Sequence, residues 1–195
     1  MWHGYARTVN EAWSGGGYYP QNIFRLLTRT KWQNIEQEVY FKILKVNTSQ
    51  NSNRNESNGV LLFSHYQDAD NLYYGGIRVD GYAVIKKKVE GDYHTLAYEP
   101  VYTADAAYHR DTNSNLIPVE KWIGLRTRVT NKPDGTLEME LLMDKEKNQD
   151  WEPVLKVVDD GKRFLWPILP EGYAGIRTDF MDVEFDDYKL NSIKL

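Results

Sequence analysis

Apolar and polar residues alternate with a period of two along most of this chain, and that period predicts strands rather than helices. Residues 23–30, 35–46, 60–66, 72–79, 82–89, 94–101, 122–130, 136–143, 151–158, 174–177 and 183–190 all carry it. Turn chemistry separates most of these runs, most clearly at Glu90-Gly91-Asp92, at residues 131–135 and at Asp159-Asp160-Gly161. No segment holds a helical period for more than two turns, although residues 102–108 could form one short turn of helix. Strands without a helical layer must bury their apolar faces on one another. The predicted fold is therefore all-β, a two-sheet antiparallel β-sandwich in preference to a barrel. Two polar stretches, residues 47–58 and 108–118, read as long loops at its rim, the first as a mobile excursion.

The densest signal runs from Tyr73 to Lys88. Asp80-Gly81 is its turn, and a two-residue loop there would set Val79 opposite Tyr82. Alternation then predicts Ile77, Val79, Tyr82 and Val84 on one face and Tyr74, Arg78, Ala83 and Lys87 on the other. The first face can build a core. The second offers an aromatic ring and two cations on a rigid sheet, which suits a sugar ring carrying a carboxylate.

The chain has 195 residues, 41% of them hydrophobic, enough for one sizeable core, and the even spread of turns predicts a single domain over residues 1–195. With no cysteine, disulfides, thiolate metal sites and a cysteine nucleophile are excluded. No apolar run approaches the roughly 18 residues of a membrane span, so no membrane is expected as a partner. The net charge of −4 is uneven: residues 1–130 hold 15 Lys+Arg against 13 Asp+Glu, and residues 131–195 hold 9 against 15. That balance argues against nucleic acid as a general partner. Fourteen tyrosines and six tryptophans suit half-buried pleated surfaces and also supply ligand platforms.

Gly76-Ile-Arg78, Gly124-Leu-Arg126 and Gly175-Ile-Arg177 echo one another, each placing an arginine opposite in facing to an aliphatic residue. The closing stretch from Gly172 to Leu190, a Gly-apolar-Arg strand followed by Asp182-Val-Glu-Phe-Asp186, resembles the last strands of concanavalin A-like (laminin-G-like) jelly rolls. Asn58 to Phe63 and Asp70 to Arg78 resemble their middle strands, so the resemblance spans most of the chain from about residue 35. It implies a jelly-roll sandwich and no single activity, because that superfamily includes lectins, carbohydrate-binding modules, β-glucanases, polysaccharide lyases and protein-binding modules.

Glucanases of that fold carry Glu-x-Asp-x-x-Glu on one strand; the nearest match, within Asp182 to Asp186, departs from that spacing and reads as a solvated outer face. Glu138 and Glu140 would face Arg126 and Arg128 across a hairpin as surface ion pairs. Lyases of that fold act by β-elimination from a uronate, with a cation or amide on the carboxylate, a base, and a tyrosine acid. Arg78 and Gln67 are the candidate carboxylate neutralisers, His65 the base, Tyr74 the acid, and Arg29 and Lys87 the substrate contacts. The alginate-lyase motifs Arg-Thr/Ser-Glu-Leu-Arg, Gln-Ile/Val-His and Tyr-Phe-Lys-Ala-Gly do not occur intact; Tyr40-Phe-Lys-Ile shares only the start of the last. No cofactor is required, and a structural Ca2+ at Asp68, Asp70 and Asn71 would have three oxygens from one turn, too few to define a site. The expected partner is an acidic polysaccharide of alginate or glucuronan type, bound by a secreted or cell-surface monomer. A non-catalytic carbohydrate-binding or adhesion module is the alternative, and a protein-interaction module the third.

Overall fold

A computed structural model describes residues 23–103 and 106–194. They form eleven strands: β1 (Ile23–Trp32), β2 (Ile35–Val46), β3 (Gly59–Tyr66), β4 (Leu72–Arg78), β5 (Tyr82–Val89), β6 (Asp92–Pro100), β7 (Trp122–Asn131), β8 (Leu137–Asp144), β9 (Glu152–Asp159), β10 (Gly172–Asp179) and β11 (Met181–Ser192). They pair antiparallel in a six-stranded sheet of order β1-β10-β3-β4-β5-β6 and a five-stranded sheet of order β11-β2-β7-β8-β9. There is no helix among the described residues; the turn expected at residues 102–108 falls partly on 104–105, outside them.

The two sheets bury Val39, Phe41, Val60, Leu62, Tyr73, Ile77, Ile85, Ile123, Leu125, Met139 and Ile176 between them. Strands β3 and β4 show little alternation because both their faces are covered: Leu61, Phe63, Leu72 and Tyr74, with Val84, form a second apolar cluster on the outer face of the six-stranded sheet. The glycines of the recurring Gly-apolar-Arg strands let neighbouring chains close up. A Cβ at Gly76 would lie 2.2 Å from the Val60 carbonyl oxygen, and one at Gly124 2.7 Å from the Trp151 ring that lies across it.

Two expectations need correction. The Asp80-Gly81 hairpin is not a two-residue loop: Gly81, at φ +82, donates its N–H to the Arg78 carbonyl (2.9 Å), and Ile77 pairs with Ala83. Val79, Asp80 and Gly81 together make a three-residue loop. That one-residue shift leaves the faces of β4 as expected and inverts those of β5. Ala83 and Lys87 point into the sandwich with Ile77 and Tyr73, while Val84 lies outside with Tyr74. Residues 47–58 are also no free excursion. Arg54, 5% exposed, donates to Ser49 O (2.7 Å), reaches the Arg110 carbonyl and pairs with Asp111 (2.7 Å). Arg110 in turn donates to Arg54 O (3.0 Å), so the two long loops clasp each other.

Other expectations hold in part. Glu140 sits opposite Arg128 at 3.8 Å, but Glu138 faces Thr130 and binds Lys132 (3.0 Å) and Lys156 (3.3 Å). On β11, Val183 and Phe185 pack on the core while Glu184 and Asp186 pair outside with Lys42 and Lys147.

Candidate functional site

Four of the six residues singled out from sequence do not gather around one subsite. His65 interrupts β3: its φ of 46° and the register shift opposite it on β10 break the alternation that would have aligned it with Gln67. Its ring lies inside the sandwich, 1% exposed, edge-on to Tyr73 at 6.2 Å and beside the Asn131 carboxamide. Neither ring nitrogen has a hydrogen-bond partner among the described residues, and burial lowers its pKa to about 4. Lys87 is wholly buried and paired with Asp159 at 2.7 Å, so it is no surface contact. Gln67 spends its amide on the carbonyls of His65 (3.3 Å), Pro170 (3.1 Å) and Glu171 (3.0 Å). Arg29 is exposed in the irregular part of β1, between Leu27 and Lys31.

Tyr74 and Arg78 do share the outer face of the six-stranded sheet, and the register shows what accompanies them. One row across this face reads Arg25, Arg177, Leu61, Gly76, Val84, Tyr98; the next reads Leu27, Gly175, Phe63, Tyr74, Lys86, Thr95. Arg78 makes a two-toothed pair with Asp80 (2.6 and 3.1 Å), and Arg177 pairs with Asp179 (2.8 Å). In two of the three echoing strands the carboxylate two residues on therefore holds the guanidinium against the sheet, whereas Arg126 pairs with Glu38 of β2 instead. Burial pushes the Tyr74 hydroxyl above the usual tyrosine range, with Arg177 opposing it. Burial likewise raises Asp179 against the pull of Arg177, and lowers Lys86, helped by the charges of Arg78 and Arg177.

Beyond Arg25 at the β1 edge, this face is accessible on its β5–β6 side. Tyr93 and Tyr98 on β6 are 51% and 60% exposed. Five positions apart, they would point to opposite faces of a regular strand. The irregularity opposite Ile85 and Lys86 adds a residue to β6, so Tyr93 pairs with Lys88 and Tyr98 with Val84, and both rings face out. Their partners stand four residues apart on β5, about 13 Å along the strand. Tyr93 packs edge-on to Tyr74 (6.2 Å) under Lys88 (5.0 Å) and Lys86 (6.0 Å), and Tyr98 packs on Tyr82 (5.6 Å). Among the described residues Lys86 makes no ion pair, so this surface combines two half-exposed rings, of which Tyr98 has no cation over it, with an ammonium that no carboxylate holds. Nothing in the residue pattern marks Tyr93 and Tyr98 as acting together, because the bulge that aligns them leaves no trace in the alternation.

The outer face of the five-stranded sheet is also aromatic, but its rings are already covered. Arg126 lies 4.1 Å over Trp151 while pairing with Glu38, and Lys147 lies 4.1 Å over Trp122 while pairing with Asp186. At the Asp68–Asn71 turn, Asp68 accepts the Asp70 N–H (2.8 Å) and the Asn71 amide (3.1 Å), and Asp70 pairs with Lys88 (2.9 Å). No group of three or more His, Cys, Asp or Glu suited to a metal is present among the described residues.

No family model and no curated protein matches this sequence. Among solved structures, the carbohydrate-binding module CBM66 from Bacillus subtilis is similar at a TM-score of 0.59 and 15% identity, over 87% of this chain and 82% of that one. A Bacillus subtilis protein of unknown function with a galectin-like fold is similar at 0.54 and 12% identity, over 87% and 77%. A GH43 protein, a BlXynB mutant from Bacillus licheniformis, is similar at 0.51 and 10% identity, over 86% of this chain and 29% of that one. At such identities these likenesses speak for architecture alone: the chain shares the two-sheet antiparallel β-sandwich fold of these proteins, as the resemblance in sequence implies.

Proposed function

We propose that this chain is a carbohydrate-binding domain that takes an acidic polysaccharide on the outer face of β5 and β6. The observation that carries the reading is the pair of exposed rings, Tyr93 and Tyr98, turned to one face by the bulge in β6 with Lys86 and Lys88 beside them. Flat tyrosine rings accept the apolar face of a pyranose, and their spacing spans more than one sugar. The Lys86 ammonium, which has no carboxylate partner among the described residues, suits a carboxylate-bearing glycan, while Lys88 is paired with Asp70. The architecture agrees with a fold found in a carbohydrate-binding module. We further propose that the protein is secreted or held at the cell surface, where such polymers lie, and acts there as a monomer.

Cleavage by β-elimination is the second reading, favoured by the Tyr74 hydroxyl lying among Arg177 and Arg78. His65 is on the other side of the sheet, so the base would have to come from the outer face itself. Affinity electrophoresis through gels of alginate, polyglucuronate, pectate and hyaluronan tests both readings, combined with ultraviolet absorbance of the unsaturated uronate that elimination creates. Retention by one of these polymers with flat absorbance supports binding alone. Rising absorbance that Tyr74→Phe abolishes supports the lyase, and passage through every gel without retardation contradicts the binding reading.

A further inference from the structure

The segment joining β9 to β10 is fastened from behind at several successive residues; Ile168 and Leu169 pack on the core, whereas Leu165 and Trp166 face solvent. Asp159, the last residue of β9, receives the Lys87 ammonium at 2.7 Å and the Tyr73 hydroxyl at 2.5 Å. The same ammonium donates to the carbonyls of Leu165 (3.3 Å) and Trp166 (3.4 Å), and the Tyr73 oxygen accepts the Ile168 N–H (3.1 Å). The Asn131 amide holds Leu169 O (2.7 Å), and Gln67 holds the next two carbonyls. Leu165 adopts φ 53°, a left-handed conformation that a leucine takes only where its surroundings impose it. With those carbonyls drawn inward, the side chains of Leu165 and Trp166 remain 43% and 58% exposed.

A buried ion pair adds little net stability, and an exposed indole adds none. A rigid mount under an exposed ring is, however, what a binding contact requires, because little freedom is left to lose. The neighbours fit the same purpose. Phe164 stacks on His94 of β6 at 4.8 Å, and Arg163 lies 5.0 Å over the Phe164 ring. Arg163 also lines an open cleft of about 620 Å³ between the edge strands β6 and β9, together with Thr95, Tyr98 and Lys156. Among the described residues it has no carboxylate partner. Tyr98 belongs both to this cleft and to the outer face, so the surface continues around the β6 edge.

We propose that the β9–β10 loop is a second saccharide contact, with Trp166 stacking on a pyranose ring and Arg163 taking a carboxylate or sulfate of the same anionic chain. The glycan then runs from Tyr93 and Tyr98 around β6 to the loop, and Lys87 and Tyr73 are positioning residues for it. The proposal rests on the reading of the outer face as a glycan surface. Titration with polyglucuronate and with a neutral xylan, using Trp166→Ala, Trp166→Phe, Arg163→Ala and the joint Tyr93→Ala, Tyr98→Ala variant, separates the two. Trp166→Ala is expected to weaken polyglucuronate binding about tenfold, the upper range for one aromatic contact. Trp166→Phe should recover most of that loss, and Arg163→Ala should weaken only the anionic polymer, all with an unchanged thermal midpoint. Wild-type affinity in Trp166→Ala, alongside loss in the tyrosine variant, overturns the loop contact and leaves the outer face standing. A loss that comes with a lowered midpoint and no rescue by phenylalanine also overturns it, and absence of wild-type binding to polyglucuronate, alginate, pectate and hyaluronan alike overturns both.

Discussion

Lys87 and Asp159 lie 2.7 Å apart between the two sheets, the ammonium on β5 of one and the carboxylate at the end of β9 on the other. Both are buried, at 0% and 4% side-chain exposure, so solvent does not screen the pair. Lys87→Met removes the cation and leaves the carboxylate desolvated beside Tyr73. The expected loss is about 3–5 kcal/mol of unfolding free energy in urea titration. Joint replacement with Asp159→Asn should restore part of it, and a joint variant less stable than Lys87→Met would refute this account of the pair.

Gly76 marks a second point where packing is decided by backbone. A Cβ there would sit 2.2 Å from Val60 O and 2.9 Å from Leu61 Cα, atoms that belong to the paired strand and cannot swing away. Gly76→Ala should lower stability by about 1–3 kcal/mol by forcing β3 and β4 apart. A midpoint equal to wild type in denaturant would contradict the close approach.

His65 links stability to pH. Its folded pKa of about 4 lies below the ordinary 6.5, because burial disfavours the imidazolium. The unfolded chain therefore binds the extra proton first. The contribution of neutral His65 is fully present above pH about 6.5 and is lost as pH falls towards 4, by about 3 kcal/mol in total. Subtracting the stability curve of His65→Leu from that of the wild type cancels the titration of the carboxylates. The difference should slope through that window, and a flat difference would show that His65 is protonated or exposed in the folded protein.

How far the sequence led can be traced through β4 and β5. Alternation locates to within a few residues the strands with one covered face, since burial of one face imposes a period that survives in the residue pattern; β3 and β4, covered on both faces, stand out by their apolar residues and flanking turns. It also placed Tyr74 and Arg78 on the outer face. What it could not resolve was a single residue of loop length. Asp80-Gly81 serves either a two-residue or a three-residue hairpin, and the longer one turns Lys87 from surface cation to buried partner of Asp159. The same limit hid Tyr93 and Tyr98, because a bulge changes which parity faces out without changing composition. His65 was misplaced for the same reason, by the left-handed residue that breaks β3. The asparagine-rich loop, polar enough to read as mobile, is fixed by long-range contacts of Arg54 and Arg110 that no local pattern records.

The outer-face reading also predicts how binding divides among side chains. Tyr93→Ala and Tyr98→Ala should each weaken retention on the preferred acidic polymer several-fold, and Lys86→Ala should weaken it most at low salt, because a half-buried ammonium without an ion-pair partner still acts through a partly screened field. Calorimetric titrations at two ionic strengths check this. Equal loss at both would show that Lys86 contributes packing rather than charge.

The most direct measurement follows amide chemical shifts while a short oligouronate is titrated into the labelled protein. A glycan on the proposed surface shifts the resonances of β5 and β6, centred on Lys86, Lys88, Tyr93 and Tyr98, and leaves those around Trp122 and Trp151 in place. Shifts confined to the five-stranded sheet, or none at saturating oligosaccharide, would contradict the account.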